Sequence, residues 1–251
     1  MVNPTNENNV TLDTLTRTLV YTYVKILKNI TVNDPHKNNL NGKILLANHQ
    51  SMYDVPAIAI ACEYLESNQP YFIMRDNIMP APIQYVMSKT RGINLGKDEK
   101  GTIKAIKKAK QRLKENNPLV VFPQATRYHG YFGPLSQKVT KIWTRDYEIV
   151  PVGIEYEENN IHVNFGESQK LDLKNNPSQF FNLQYNIASL AKLTTPKTED
   201  STLNSLIISI LNQSIRLQTE QEPSNELLEE YDSTIKDFIE YAGKQRIKPL
   251  H

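Results

Sequence analysis

A single cysteine, Cys62, stands among 251 residues. One thiol builds no intramolecular disulfide and no cysteine-based zinc cluster, so neither device holds this fold together. An excess of one charge is also missing: 29 Lys+Arg against 27 Asp+Glu leave +2. The pI of 8.4 lies under the value of about 9 that marks a dedicated nucleic-acid-binding domain, so no nucleic-acid partner is expected. Long apolar runs are absent too. Asp13, Arg17, Lys25 and Lys28 interrupt the N-terminal candidate, and His49 and Asp54 interrupt Ile44–Cys62, where a spanning helix needs about 18 consecutive apolar residues. The opening Met1-Val2-Asn3-Pro4-Thr5-Asn6-Glu7 lacks the basic segment, apolar segment and small-residue cleavage site of a secretory signal. A cytoplasmic chain without a spanning segment is expected, and the 39% hydrophobic content implies a mostly polar surface.

What is present divides into three parts. In residues 1–40, Leu12, Leu15, Leu19, Tyr23, Ile26 and Ile30 recur close to every 3.6 residues, predicting an amphipathic helix from about 11 to 31 that packs on the core or rests in a membrane interface. In residues 41–176, β-type runs at Lys43–Ala47, Tyr71–Met74, Gly92–Leu95, Leu119–Phe122, Ile149–Ile154 and Ile161–Phe165 alternate with helix patterns after Asp54, after Thr102 and around Lys138–Thr144. That alternation predicts an α/β fold with a mixed, largely parallel sheet flanked by helices. Its site should lie beyond the carboxyl ends of the strands. Residues 177–251 read as a helical extension, with helices near Ser178–Leu193, Ser201–Gln221 and Ser224–Arg246 that cover the core or mediate association.

Of five histidines, only His49 directly follows a β-type run and precedes a helix start. In Asn48-His49-Gln50-Ser51-Met52-Tyr53-Asp54-Val55-Pro56, Asp54 is the expected N-cap and Pro56 falls in the first turn. Five helical positions rotate by about 500°, so His49 and Asp54 meet only if His49 lies in the loop. A carboxylate on one ring nitrogen would orient the imidazole and leave the other nitrogen to take a hydroxyl proton. The same spacing suits a plain loop histidine with a capping Asp54, and spacing alone does not decide between them. The second patch, Phe122-Pro123-Gln124-Ala125-Thr126-Arg127-Tyr128-His129-Gly130, follows another strand and offers a guanidinium fork and a hydroxyl to a phosphate. His36, His129, His162 and His251 lack acidic neighbours at metal-ligand spacing, so no metal is assigned.

Together these patches resemble the motifs of the glycerolipid acyltransferases. Asn48-His49-Gln50-Ser51-Met52-Tyr53-Asp54 matches that family's Asn-His-x-Ser-x-x-Asp signature. Phe122-Pro123-Gln124-Ala125-Thr126-Arg127 is similar to its Phe-Pro-Glu-Gly-Thr-Arg block, Ile149–Ile154 to its Val-Pro block, and Arg91-Gly92-Ile93-Asn94-Leu95-Gly96-Lys97 to its Gly-x-Ile-Phe-Ile-x-Arg block. The four blocks keep the family's order over about residues 40–170. The resemblance implies that His49 is a base oriented by Asp54, and that a hydroxyl of a lysophospholipid, foremost lysophosphatidate, attacks an acyl thioester of coenzyme A or acyl carrier protein. It further implies acceptor binding by Arg75, Lys97, Gln124, Thr126 and Arg127, a membrane-surface partner met peripherally, and neither metal nor redox cofactor.

Three departures leave the acceptor open. Gln124 stands for the family's Glu, Ala125 for its Gly, and Arg75 and Lys97 exchange lysine and arginine between two basic places. A glycerol-phosphate or other lysolipid acceptor, or a weakened relative that binds lipid without turnover, therefore stays beside the first reading. If the Ala125 backbone must adopt a positive φ, the substitution costs about 1 kcal/mol. Lys104, Lys107, Lys108, Lys110, Arg112 and Lys114, opposite Ile103, Ile106, Ala109 and Leu113, suit either solvent or anionic headgroups. Tyr21, Tyr23, Tyr128, Tyr131, Phe132 and Trp143 suit either an acyl groove or ordinary core.

Overall fold

Ile44-Leu45-Leu46-Ala47 and Leu119-Val120-Val121 are apolar at every position and buried at every position, the pattern of strands covered on both faces. The computed structural model, which describes residues 18, 22, 24, 26–75, 91–96, 98–128, 131–144, 146–194, 201–219 and 224–246, places them at the centre of one sheet. The elements are β1 (Asn29–Asn33), β2 (Ile44–Ala47), α1 (Asp54–Tyr64), β3 (Tyr71–Arg75), β4 (Gly92–Leu95), α2 (Glu99–Lys114) and β5 (Leu119–Val121). There follow α3 (Gln137–Thr144), β6 (Ile149–Glu157), β7 (Asn160–Phe165), α4 (Ser178–Leu190), α5 (Ser201–Thr219) and α6 (Asn225–Arg246). The sheet order is β1-β7-β6-β2-β5-β3-β4. Every neighbouring pair is parallel except the β6–β7 hairpin, so β2, β3, β4, β5 and β6 end at one edge of the sheet.

The period of two along each strand sorts side chains between two cores. Leu45, Ala47, Val120, Val150, Val152 and Ile154 pack with Ala57, Ile58 and Ala61 of α1 on one face. Ile44, Leu46, Leu119, Val121 and Ile149 pack on the other, with α2, Trp143 of α3, and Phe181, Ile187, Ile210 and Phe238 of α4, α5 and α6. The C-terminal helices therefore share the core of the central strands. Gln184 knits them together by donating to Ser214 Oγ and Tyr231 Oη, both at 2.7 Å, while its Oε1 accepts the Leu135 N–H at 3.0 Å.

Two expectations change at element ends. The helix predicted over 11–31 stops sooner: among the described residues Thr18, Thr22, Val24, Ile26 and Leu27 are helical, whereas Asn29–Asn33 form β1. Ile30-Thr31-Val32 is β-branched throughout, and β7 supplies a parallel partner from Asn160 to Asn164. Ile30 is thus a strand residue and not the last of a helical stripe. Likewise α2 begins at Glu99, before Thr102, because Asp98 caps it by accepting the Gly101 N–H at 2.7 Å. Its buried stripe is Ala105, Ala109 and Leu113, and Ile103 is 46% exposed. Of its basic residues, Lys110 pairs with Asp146 at 2.7 Å and Arg112 with Glu115 at 2.6 Å.

Candidate active site

The loop after β2 carries Asn48 and His49, and two neighbouring structures hold it. Asn48 is fully buried and extends the β2–β6 ladder with its side chain: its Nδ2 donates to the Ile154 carbonyl at 3.0 Å, and its Oδ1 accepts the Ile154 N–H at 2.7 Å. The loop after β5 grips the next residue. The His49 N–H donates to Gln124 Oε1, and the His49 carbonyl accepts the Tyr128 N–H at 2.8 Å. Gln124 Nε2 donates in turn to the Gly133 carbonyl. Gly133 must lack a side chain, because a Cβ there would sit 2.1 Å from the Tyr128 ring.

The imidazole itself is fixed on three sides. Its Nδ1 lies 2.7 Å from Asp54 Oδ2, its Nε2 accepts from Arg127 Nε at 3.4 Å, and its face stacks on Phe122 with centroids 4.2 Å apart and planes 21° apart. Asp54 is fully buried and surrounded by donors. Oδ2 also accepts the Gln50 N–H at 2.7 Å and the Ser51 N–H at 2.9 Å, and Oδ1 accepts the Tyr156 hydroxyl. A carboxylate only accepts, so Nδ1 carries the ring proton and Nε2 presents the lone pair. Asp54 is not the N-cap that its position suggested. Tyr53 occupies that place without a side-chain cap bond, and the Asp54 carboxylate turns back onto the loop.

The remaining predicted residues divide. Thr126 and Arg127 follow Gln124 on the β5 loop, half-buried. Arg75 closes β3 with its backbone opposite Leu95 of β4, which puts it at the same sheet edge. Lys97, Tyr21, Tyr23 and His129 lie outside the described residues. Gln124, expected among the acceptor-binding groups, has both ends of its amide engaged with backbone. Tyr128, Phe132 and Trp143 are buried, and Tyr128 and Tyr131 pack against Phe238 with centroids 5.6 and 6.3 Å away.

The sequence reading missed Phe122 as the platform under the ring and Tyr156 as the partner of Asp54. The signal for Tyr156 was the alternation of β6, since Val150, Val152, Ile154 and Tyr156 all face α1. Burial and the Asp54 charge both disfavour the phenolate, so Tyr156 stays protonated well above its ordinary range. Burial also pushes the Cys62 thiol up to about 12, which leaves no thiolate to act as an acyl-accepting nucleophile. Among the described residues no group of three His, Cys, Asp or Glu side chains could hold a metal ion.

Ala125 adopts φ +57°, the left-handed region that glycine enters without steric cost. Ala125→Gly is therefore expected to stabilise the fold by about 0.5–1 kcal/mol. Thermal unfolding should read this as a rise of about 1–3 °C in Tm, and an unchanged or lower Tm contradicts it.

Comparison with known proteins bears on this geometry. The sequence profile of the Acyltransferase family matches residues 29–155, 127 of the 251 positions, and so includes His49, Asp54, Gln124 and Arg127. The 1-acyl-sn-glycerol-3-phosphate acyltransferase of Helicobacter pylori is 31% identical over 93 residues, 35% of this chain and 36% of that protein. The alignment thus spans about a third of the length of that curated relative. The crystal structure of the 1-acyl-sn-glycerophosphate (LPA) acyltransferase of Thermotoga maritima superposes with a TM-score of 0.53 at 16% identity, covering 79% of this chain and 86% of that one. At that identity the likeness is one of fold.

Proposed function

Because the chain belongs to the Acyltransferase family, we propose that it moves a fatty acyl group from an acyl thioester to a hydroxyl of lysophosphatidate in phospholipid synthesis. One observation carries the reading: a histidine at the carboxyl edge of the sheet, with Nδ1 on the buried Asp54 carboxylate at 2.7 Å and Nε2 directed at the Arg127 guanidinium. In this reading Nε2 takes the proton as the acceptor oxygen attacks the thioester carbonyl carbon. The tetrahedral oxyanion collapses, the carbon–sulfur bond breaks, and the imidazolium returns its proton to the departing thiolate. Asp54 stabilises the transient imidazolium, and no covalent acyl-enzyme forms.

Arg127 Nε faces His49 Nε2 at 3.4 Å. A phosphate monoester would draw the guanidinium onto its oxygens and seat the neighbouring hydroxyl at Nε2 in its place. Arg75, Lys97 and Thr126 are the further groups assigned to the acceptor in this reading, whereas Gln124 is scaffold. The altered Gln124–Ala125 pair belongs to the clamp behind His49, which weighs against a binding-only relative. The donor is a thioester of coenzyme A or of acyl carrier protein.

Peripheral membrane contact belongs to the same proposal. Among the described residues no helix is long and apolar enough to cross a membrane. β1 starts opposite Asn160, beside the end of β6, so the helical residues before it reach the sheet edge that holds His49. Ile26 there is 75% exposed, and Met52, three residues past His49, is 63% exposed. Apolar side chains at the mouth of a lipid-using site suit an interfacial seat.

An acceptor panel tests the proposal. Thiol release from acyl-coenzyme A and from acyl carrier protein is measured with lysophosphatidate, with glycerol 3-phosphate, and with a lysolipid whose phosphate is a diester. The highest kcat/KM is expected with lysophosphatidate. Equal or faster turnover of the diester lysolipid contradicts the phosphate-directed reading.

A further inference from the structure

The two oxygens of Asp54 are unequally loaded. Oδ2 serves His49 Nδ1 and the N–H groups of Gln50 and Ser51, whereas Oδ1 takes its hydrogen bond from Tyr156. Tyr156 comes from β6, 102 positions along the chain from Asp54, and its ring packs into the core on the α1 face. We infer that Tyr156 is a positioning residue for the His49 base, its hydroxyl bracing the Asp54 carboxylate from the second oxygen and drawing part of its charge. The inference rests on the acyl-transfer reading for its kinetic consequence, and not for its effect on the His49 ring.

Three donors already hold Oδ2, so a donor on Oδ1 fixes the group from its opposite side and sharpens the alignment of Oδ2 on Nδ1. It also competes for negative charge, because hydrogen bonds to ionised groups are the strong ones. Tyr156 can play this part at every working pH, since burial and the adjacent carboxylate keep its phenol protonated. Among the described residues, the charged and titratable groups that face the ring or its Asp54 partner are Asp54 from α1, Arg127 from the β5 loop, Tyr156 from β6, and Tyr53 beside Asp54. Glu155, the neighbour of Tyr156 on β6, pairs with Lys192 at 3.0 Å, and Glu157 lies 3.5 Å from His162.

Without the phenol, Asp54 keeps more charge for the imidazolium and holds it more tightly, so the ring loses its proton at higher pH. The base works only when neutral, so activity falls away sooner on the acid side.

Tyr156→Phe keeps the ring and removes the hydroxyl. Its kcat is expected to fall about 5- to 30-fold, because the lost alignment of the carboxylate outweighs the extra charge that Asp54 keeps for the imidazolium. KM should stay within about twofold, because the hydroxyl touches no substrate. The acid limb of kcat/KM should move up by about half a pH unit, and the His49 ring signals in NMR should titrate at correspondingly higher pH in the absence of any substrate. Incorporating a ring-fluorinated tyrosine at 156, a stronger donor of the same shape, should move both readouts the opposite way. This second variant covers the case in which Tyr156→Phe does not fold. In an Asp54→Asn background, adding Tyr156→Phe should change kcat by less than about twofold, because no carboxylate remains to tune.

An unchanged His49 titration in both variants overturns the inference, whether or not Tm falls. Wild-type protein that transfers no acyl group contradicts the proposed function instead, and the ring titration then decides the role of Tyr156 alone.

Discussion

Replacing His49 by alanine is expected to lower acyl transfer by about 10²–10⁴-fold, the usual worth of a positioned general base. The acceptor hydroxyl then loses the lone pair that Nε2 presents to it. Arg127, the group facing Nε2, is a donor only. Tyr156 holds its proton above its ordinary range, and the buried Cys62 thiol is pushed up to about 12. The loop should keep its shape, because Gln124 and Tyr128 bond the His49 backbone and not its ring. Losing the stack on Phe122 should cost about 1 kcal/mol or less, a Tm change of about 2–4 °C in a chain of this size. Steady-state kinetics beside thermal unfolding check both halves. A rate within tenfold of wild type contradicts the assignment of the base.

Asp54 should separate two functions that His49 does not. In Asp54→Asn the side-chain oxygen can stay with His49, Gln50 and Ser51, because all three donors bond the same atom. The new amide nitrogen then meets the Tyr156 hydroxyl, whose oxygen also accepts. The ring keeps its tautomer and loses only the charge that stabilises its protonated form, so a fall of about 10²–10³-fold in kcat with little change in Tm is expected. Asp54→Ala removes the acceptor of the Gln50 and Ser51 N–H groups and of the Tyr156 hydroxyl as well. Transfer should fall at least as far, and stability should drop by about 2–4 kcal/mol, since each buried donor left unpaired costs about 1–3 kcal/mol and water recovers part of it. Tm should then fall by about 4–16 °C. Equal melting of the Asn and Ala variants contradicts the view of Asp54 as the shared acceptor of this loop.

The central sheet was legible because Ile44–Ala47, Leu119–Val121 and Ile149–Ile154 are apolar at successive positions, a pattern that solvent-facing strands do not keep. The condition for chemistry at His49 was legible too: the ring meets Asp54 only from a loop, and the structure has His49 in the loop after β2. Other features depend on partners distant in sequence. β1 looks helical until β7 stands beside it, 131 positions later. Asn48 opens the signature in the sequence, but its role is set by Ile154, which offers it both its N–H and its carbonyl. Tyr156 is one aromatic among 13 tyrosines until strand register turns it towards α1. Gln124 stands in the sequence at the place of the family's Glu, beside Arg127, and nothing local shows what its amide meets. Its amide spans His49 N–H and Gly133 carbonyl, a donor and acceptor on opposite sides, which suits an amide and not the family's glutamate. The start of α2 is set by Asp98, whose side chain accepts the Gly101 N–H three positions on.

The central claim is that an acceptor hydroxyl, deprotonated by His49, attacks the thioester directly. Free-thiol release from acyl-coenzyme A and from acyl carrier protein, followed from the first turnover with and without lysophosphatidate, tests it most directly. The account predicts release with at least one donor that requires the acceptor, shows no burst without it, and disappears in His49→Ala. A burst of thiol in the absence of acceptor, or acceptor-dependent release that survives in His49→Ala, would contradict it.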